Sequence, residues 1–166
     1  MTSGAADRWV VNASPVILLG KAGVLHLLPA LCTELVVPEG VVAEVADGAA
    51  ADRGRCWLKG DGRPYLRRVP SLHPALAEWG GGAGEAEVIT WALHHPGFTA
   101  ILDDRAARNL ATGLGVPVIG SLRVIVLAKE RGLIARARPV LECLRGSGGY
   151  VSDDLIARAI QLAGES

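Results

Sequence analysis

Short, apolar, β-branched runs alternate along this chain with segments of helical period. Four runs read as strands: Trp9–Val11 stopping at Asn12, Leu35–Val37 at Pro38, Phe98–Leu102 at Asp103-Asp104, and Val116–Ile119 at Gly120. Each is followed by helix signals, the order expected of βαβ units whose parallel strands pair through helical crossovers. Ser14-Pro15 offers an N-cap and a proline at the first helical position, leading into a helix over Val16 to Lys21. Pro38-Glu39 opens the next helix through Val41, Val42 and Val45, and a third starts near Ala83 with Glu85, Val88, Ile89 and Ala92. Asp104 begins a fourth, with Ala107, Leu110 and Ala111 on its inner side, and Gly113 and Gly115 end it. Leu122–Arg131 and Pro139–Leu144 follow, and Ser152-Asp153-Asp154 caps a last helix with Leu155, Ile156, Ala159, Ile160 and Leu162 as its apolar positions. The stretch from Ala46 to Gly84 is rich in glycine and charge and predicts only one short strand, at Tyr65–Val69. The pattern predicts an α/β fold: a three-layer open parallel sheet of four to five strands flanked by helices, with residues 1–166 as one domain.

Composition narrows the class. At 166 residues, 50% apolar and 20% charged, the chain can bury a sizeable core. No apolar run approaches the roughly 18 residues of a membrane span, and Met1–Arg8 has no apolar stretch of a secretion signal, so the expected compartment is the cytoplasm. Cys32, Cys56 and Cys143 are widely spaced and expected to be buried or half-buried free thiols. The adjacent His94 and His95 diverge on a helix, and no zinc spacing exists. Lys+Arg and Asp+Glu both number 17, which argues against tight binding to bulk nucleic acid. Six of the cations fall between Arg53 and Arg68 (Arg53, Arg55, Lys59, Arg63, Arg67, Arg68), a run whose ordinary meaning is a solvated face. Aromatics are too scarce for a base-stacking platform.

Ligands of open parallel sheets gather outside the carboxyl ends of the strands. Asn12 and Asp103-Asp104 stand at such ends although some 90 positions apart, and Glu44 and Glu85 lie on neighbouring helices. Hard divalent cations require several oxygen ligands, and carboxylates drawn together from distant positions repel one another unless a cation lies among them. Each acid also has an ordinary explanation: Asp104 as an N-cap, Glu85 as a first-turn acid, and Glu44, like Glu39, Glu78 and Glu87, as a solvated helix residue.

The series Val11-Asn12-Ala13-Ser14-Pro15-Val16-Ile17, Val37-Pro38 to Glu44, Gly84-Glu85-Ala86-Glu87, Leu102–Arg108, Val118–Leu122 and Ala128–Ile134 spans nearly the whole chain. In that order it resembles the PIN-domain superfamily, in an uncharacterised prokaryotic branch of predicted nucleic-acid-binding proteins. The resemblance implies a metal-dependent ribonuclease using Mg²⁺ or Mn²⁺, of the kind that serves as the toxin of a toxin–antitoxin pair. Its implied partners are RNA, an antitoxin protein and a second copy in a homodimer, for which Val16–Leu31 is either an interface or a core helix. The family's acidic positions map onto Asn12, Glu44, Glu85 and Asp104, with Asp103 adjacent as an alternate acid and Ser14 as the accompanying hydroxyl. Asn12 departs from the family's aspartate, and an amide oxygen ligates without charge and cannot act as a base. A catalytically weakened module binding RNA or a partner protein is therefore the rival. A phosphoryl-accepting receiver would need its acidic pair after the first strand, and Gly80–Gly84 lacks the Lys-Ser/Thr of a phosphate loop.

Overall fold

The computed structural model describes residues 7–47, 52–147 and 151–165. Among these, five strands form one parallel sheet: β1 (Arg8–Val11), β2 (Glu34–Pro38), β3 (Leu66–Arg67), β4 (Phe98–Ile101) and β5 (Val118–Ile119), in the order β3-β2-β1-β4-β5. The central strand β1 is apolar on both faces because both are covered by helices, and Val10, Val11, Val36, Val37, Ala100 and Ile101 are fully buried. Register aligns Val11 with Ile101 and Ile101 with Ile119, so Asn12, Leu102 and Gly120 leave the sheet side by side. The ladder carries over this edge: Asn12 N–H donates to Ile101 O at 3.2 Å, and Leu102 N–H to Ile119 O at 3.0 Å.

The helices are α1 (Ala13–Lys21), α2 (Leu27–Leu31), α3 (Glu39–Asp47), α4 (Asp52–Lys59), α5 (Ala83–His94), α6 (Arg105–Gly113), α7 (Ser121–Glu130), α8 (Arg138–Glu142) and α9 (Asp153–Leu162). This is the three-layer α/β architecture expected from the apolar pattern. Val16, Leu18, Leu19, Leu27, Leu28 and Leu31 are all buried within the chain's own core, so the stretch proposed as an interface is spent on packing. The strands expected at 65–69 and 116–119 shrink to Leu66–Arg67 and Val118–Ile119. Cys56 and Cys143 are exposed rather than buried, while Cys32 is half-buried and burial pushes its thiol up to about 12. No described helix is long and apolar enough to cross a membrane.

Candidate metal centre

The first turn of α1 starts two residues earlier than the Ser14-Pro15 signal implies. Asn12 is the N-cap, with extended backbone (φ −86°, ψ 174°), and Pro15 occupies the third helical position. The first N–H groups of a helix have no intrahelical acceptor, so a proline there forfeits no hydrogen bond. It does remove one donor that an N-cap amide ordinarily takes, and Asn12 makes no side-chain cap. Asn12 is 3% exposed, and its Oδ1 is buried without a hydrogen-bond partner. An orphaned buried acceptor of this kind costs about 1–3 kcal/mol.

Among the acids that the sequence singles out, Glu85 lies within electrostatic reach of both Asp104 and Glu44. Asp104 is the N-cap of α6, and its Oδ2 accepts from Ala107 N–H at 2.9 Å. Glu85 sits in the first turn of α5, where its Oε1 accepts from Gly82 N–H at 3.2 Å. Glu44 reaches across from α3 to accept from Gly84 N–H at 2.7 Å. It is half-buried and anchored to α5, so the solvated-residue reading does not hold for it. A Cβ on Gly82 would stand 3.3 Å from Glu85 Oε1 and 3.4 Å from Glu44 Oε1, so the two carboxylates face one another across that glycine. Burial raises the Glu85 carboxyl above its ordinary range, and the charges of Asp104 and Glu44 raise it further, against the lowering effect of the Gly82 N–H.

Asp103 is committed elsewhere. Its Oδ1 accepts from Ser121 N–H at 2.8 Å, and its Oδ2 from Ser121 Oγ at 2.6 Å and Ser14 Oγ at 3.2 Å. It ties the N-termini of α1 and α7 to the end of β4, and Ser121 is fully buried in consequence. Gly120 permits this approach: a Cβ there would meet Asp103 Oδ1 at 3.1 Å and Arg108 Nη1 at 2.6 Å. Glu87, read from sequence as solvated, is half-buried and accepts from Gly40 N–H at 3.0 Å, joining α5 to the first turn of α3. Only the glutamate's position on α5, two residues beyond Glu85 and so on a different side of the helix, signals that it serves another contact.

Among the described residues no three Asp, Glu, His or Cys side chains stand close enough to enclose an ion unaided. The candidate donors are all oxygen, the kind a hard cation takes. They include a buried amide oxygen with no hydrogen-bond partner, and a carboxylate raised first by burial and then by the charges of Asp104 and Glu44.

No curated protein matches the chain significantly. A family model, DUF3368, described as a PIN domain, matches residues 8–165. By that match over nearly its full length, carried on a five-stranded parallel sheet, the chain belongs to the PIN-domain family.

Proposed function

We propose that the protein is a ribonuclease of PIN type that works with Mg²⁺ or Mn²⁺ held by Asn12, Glu44, Glu85 and Asp104. The observation that supports it most directly is the buried Asn12 Oδ1, which has no partner and belongs to the residue that follows β1 as the N-cap of α1. A divalent ion supplies Lewis acidity toward a phosphodiester and acidifies water. The chain's residues do the rest. Glu44 and Asp104 are held by the Gly84 and Ala107 N–H groups, which fix their carboxylates before any ligand arrives. Glu85, raised by burial and by its neighbours' charge, is the group best placed to exchange a proton as the site fills and empties. Asp103 positions Ser14 and Ser121 and is not a ligand in this scheme.

Asn12 supports a second reading, a module that binds RNA with weakened catalysis, because it ligates without charge. Service as a cytoplasmic toxin restrained by an antitoxin protein extends the first reading, and RNA is the substrate class in both. The experiment is cleavage of a single-stranded RNA pool with Mg²⁺ or Mn²⁺ by the wild type, Asp104→Asn and Asn12→Asp. Asparagine caps helices about as well as aspartate, so Asp104→Asn removes charge while keeping the fold. Metal-dependent cutting that Asp104→Asn abolishes supports the nuclease. Cutting seen only with Asn12→Asp supports the binding module, and no cutting by any variant refutes the enzyme.

A further inference from the structure

Half of the basic run that the sequence displays is folded back on the chain itself. Arg53 turns back onto the carbonyls of Gly20 and Lys21, Arg55 onto Ala46 O, and Arg67 onto Pro64 O and Leu66 O. On the opposite flank of the acids, the fold gathers four arginines that are scattered over more than fifty positions. Arg105 and Arg108 from α6, Arg123 from α7 and Arg158 from α9 line one open cavity of about 610 Å³ beside the edge strand β5.

The cavity adjoins the candidate centre: Asp103 and Gly120 form part of its wall, and Arg105 directly follows Asp104. Asp103 is its one carboxylate, and both of its oxygens already accept hydrogen bonds. Arg108 is anchored by Leu102 O at 3.2 Å, which leaves other guanidinium N–H groups to the groove. Arg123 is 3.6 Å from Glu130 in an exposed pair, a geometry worth little. Arg105 and Arg158 are exposed and have no hydrogen bond or ion pair among the described residues. A chain of zero net charge thus sets four arginines around one groove, whose wall includes Asp103, the chain neighbour of Asp104.

We propose that this groove carries the phosphodiester backbone of single-stranded RNA on its way to the acidic centre, with Arg105 and Arg158 as its principal phosphate contacts; this rests on the ribonuclease reading above. The exposed Leu155 and Leu162 on its α9 wall give riboses and bases an apolar surface without sequence preference. The groove's place at the start of α6, next to its N-cap Asp104, favours RNA over an acidic, leucine-bearing peptide, which would also suit arginines beside leucines.

The test is anisotropy of a labelled twelve-nucleotide oligouridylate binding to the full chain in EDTA, where metal-dependent cleavage cannot occur, across a series of NaCl concentrations. Each phosphate contact on a single strand contributes about 0.7 to the slope of log K against log salt. The double variant Arg105→Ala/Arg158→Ala should flatten that slope by roughly 1.4, a loss of about 25-fold in affinity at 0.1 M relative to 1 M salt. The charge-matched control Lys59→Ala/Arg63→Ala, on the basic run, should leave the slope near that of the wild type. Equal effects of the two double variants, or none from the first, overturn the proposal. So does displacement of an acidic Glu/Leu peptide, rather than RNA, by the groove variant. Because no metal is present, failure of RNA cleavage by the wild type would refute the nuclease and leave this binding result standing.

Discussion

Asn12→Asp is the most informative single change, because it restores the family's carboxylate at a position the fold has buried. Asn12 is 3% exposed, its Oδ1 has no partner, and the nearby Glu85 already feels the charges of Asp104 and Glu44. Without a cation the new carboxylate has nothing to offset its desolvation. Buried carboxylates rise by up to about 3–5 units, each unit being about 1.4 kcal/mol; at pH 7, about three units above the unfolded value, the unliganded variant should lose roughly 4 kcal/mol. For a chain of this size that corresponds to a melting temperature lower by roughly 8–16 °C.

The sign follows from linkage. A carboxyl raised in the folded state keeps its proton there while the unfolded chain gives it up. The loss is therefore absent below about pH 3.9, grows as pH climbs toward the raised value, and is constant above it. In EDTA the variant and the wild type should melt nearly together at pH 4 and diverge at pH 7.5. Mn²⁺ at a hundredfold excess over the wild type's Kd should add about 2.7 kcal/mol to the wild type, and more to the variant, whose Kd is lower. Scanning calorimetry at the two pH values, with and without Mn²⁺, measures all four states. A gap that is the same at both pH values, or a variant that gains no more from Mn²⁺ than the wild type, would refute the argument that Asn12 sits where a cation binds.

Three further outcomes follow from the same geometry. Gly84→Ala places a Cβ 2.8 Å from Glu44 Oε1, which must swing off the Gly84 N–H. The lost charged hydrogen bond, offset in part by alanine's helix preference, should lower the melting temperature by only a few degrees, roughly 2–6 °C. Mn²⁺ affinity by titration calorimetry should fall at least about tenfold, since the carboxylate is no longer preorganised. Asp103→Ala strands the N–H and hydroxyl of fully buried Ser121, and urea unfolding should show a loss of roughly 2–5 kcal/mol with or without divalent metal. Because the Glu85 carboxyl is raised, it weakens the unliganded fold increasingly as pH rises through the ordinary carboxylate range toward its raised value. Glu85→Gln should therefore match the wild type at acid pH and melt above it at pH 7 in EDTA, and it should bind Mn²⁺ with less pH dependence. A Glu85→Gln variant that is less stable than the wild type at pH 7 would contradict the direction of that shift.

What the sequence discloses and what it hides divide along a physical line. Strands β1, β2 and β4 are legible because burial on both faces leaves continuous β-branched runs, and the family resemblance rests on motifs at their carboxyl ends. Helix α4 is not legible, because its segment, Asp-Arg-Gly-Arg-Cys-Trp-Leu-Lys, reads as charged loop with a glycine inside. That glycine is the reason the helix exists where it does: a Cβ on Gly54 would meet Val16 Cγ1 at 3.1 Å, and a Cβ on Gly20 would meet Gly54 N at 3.2 Å. Close packing of α4 on α1 thus overrides local propensity, and the signal for it is a pair of glycines 34 positions apart that no local window sees together. The acids divide in the same way. Asp103 and Asp104 are adjacent and chemically identical in sequence, yet one is consumed by Ser14 and Ser121 while the other caps α6 with an oxygen to spare. The arginines complete the pattern in reverse. Arg53 to Arg67 stand close together along the chain and read as a solvated face, yet several are folded back onto carbonyls. Arg105, Arg108, Arg123 and Arg158 look like scattered helix charge, and the crossover from β4 to β5 with the packing of α9 on α7 sets them around one groove. Charge matters for binding only where its field lines converge, and convergence is a property of the sheet order, not of spacing along the chain.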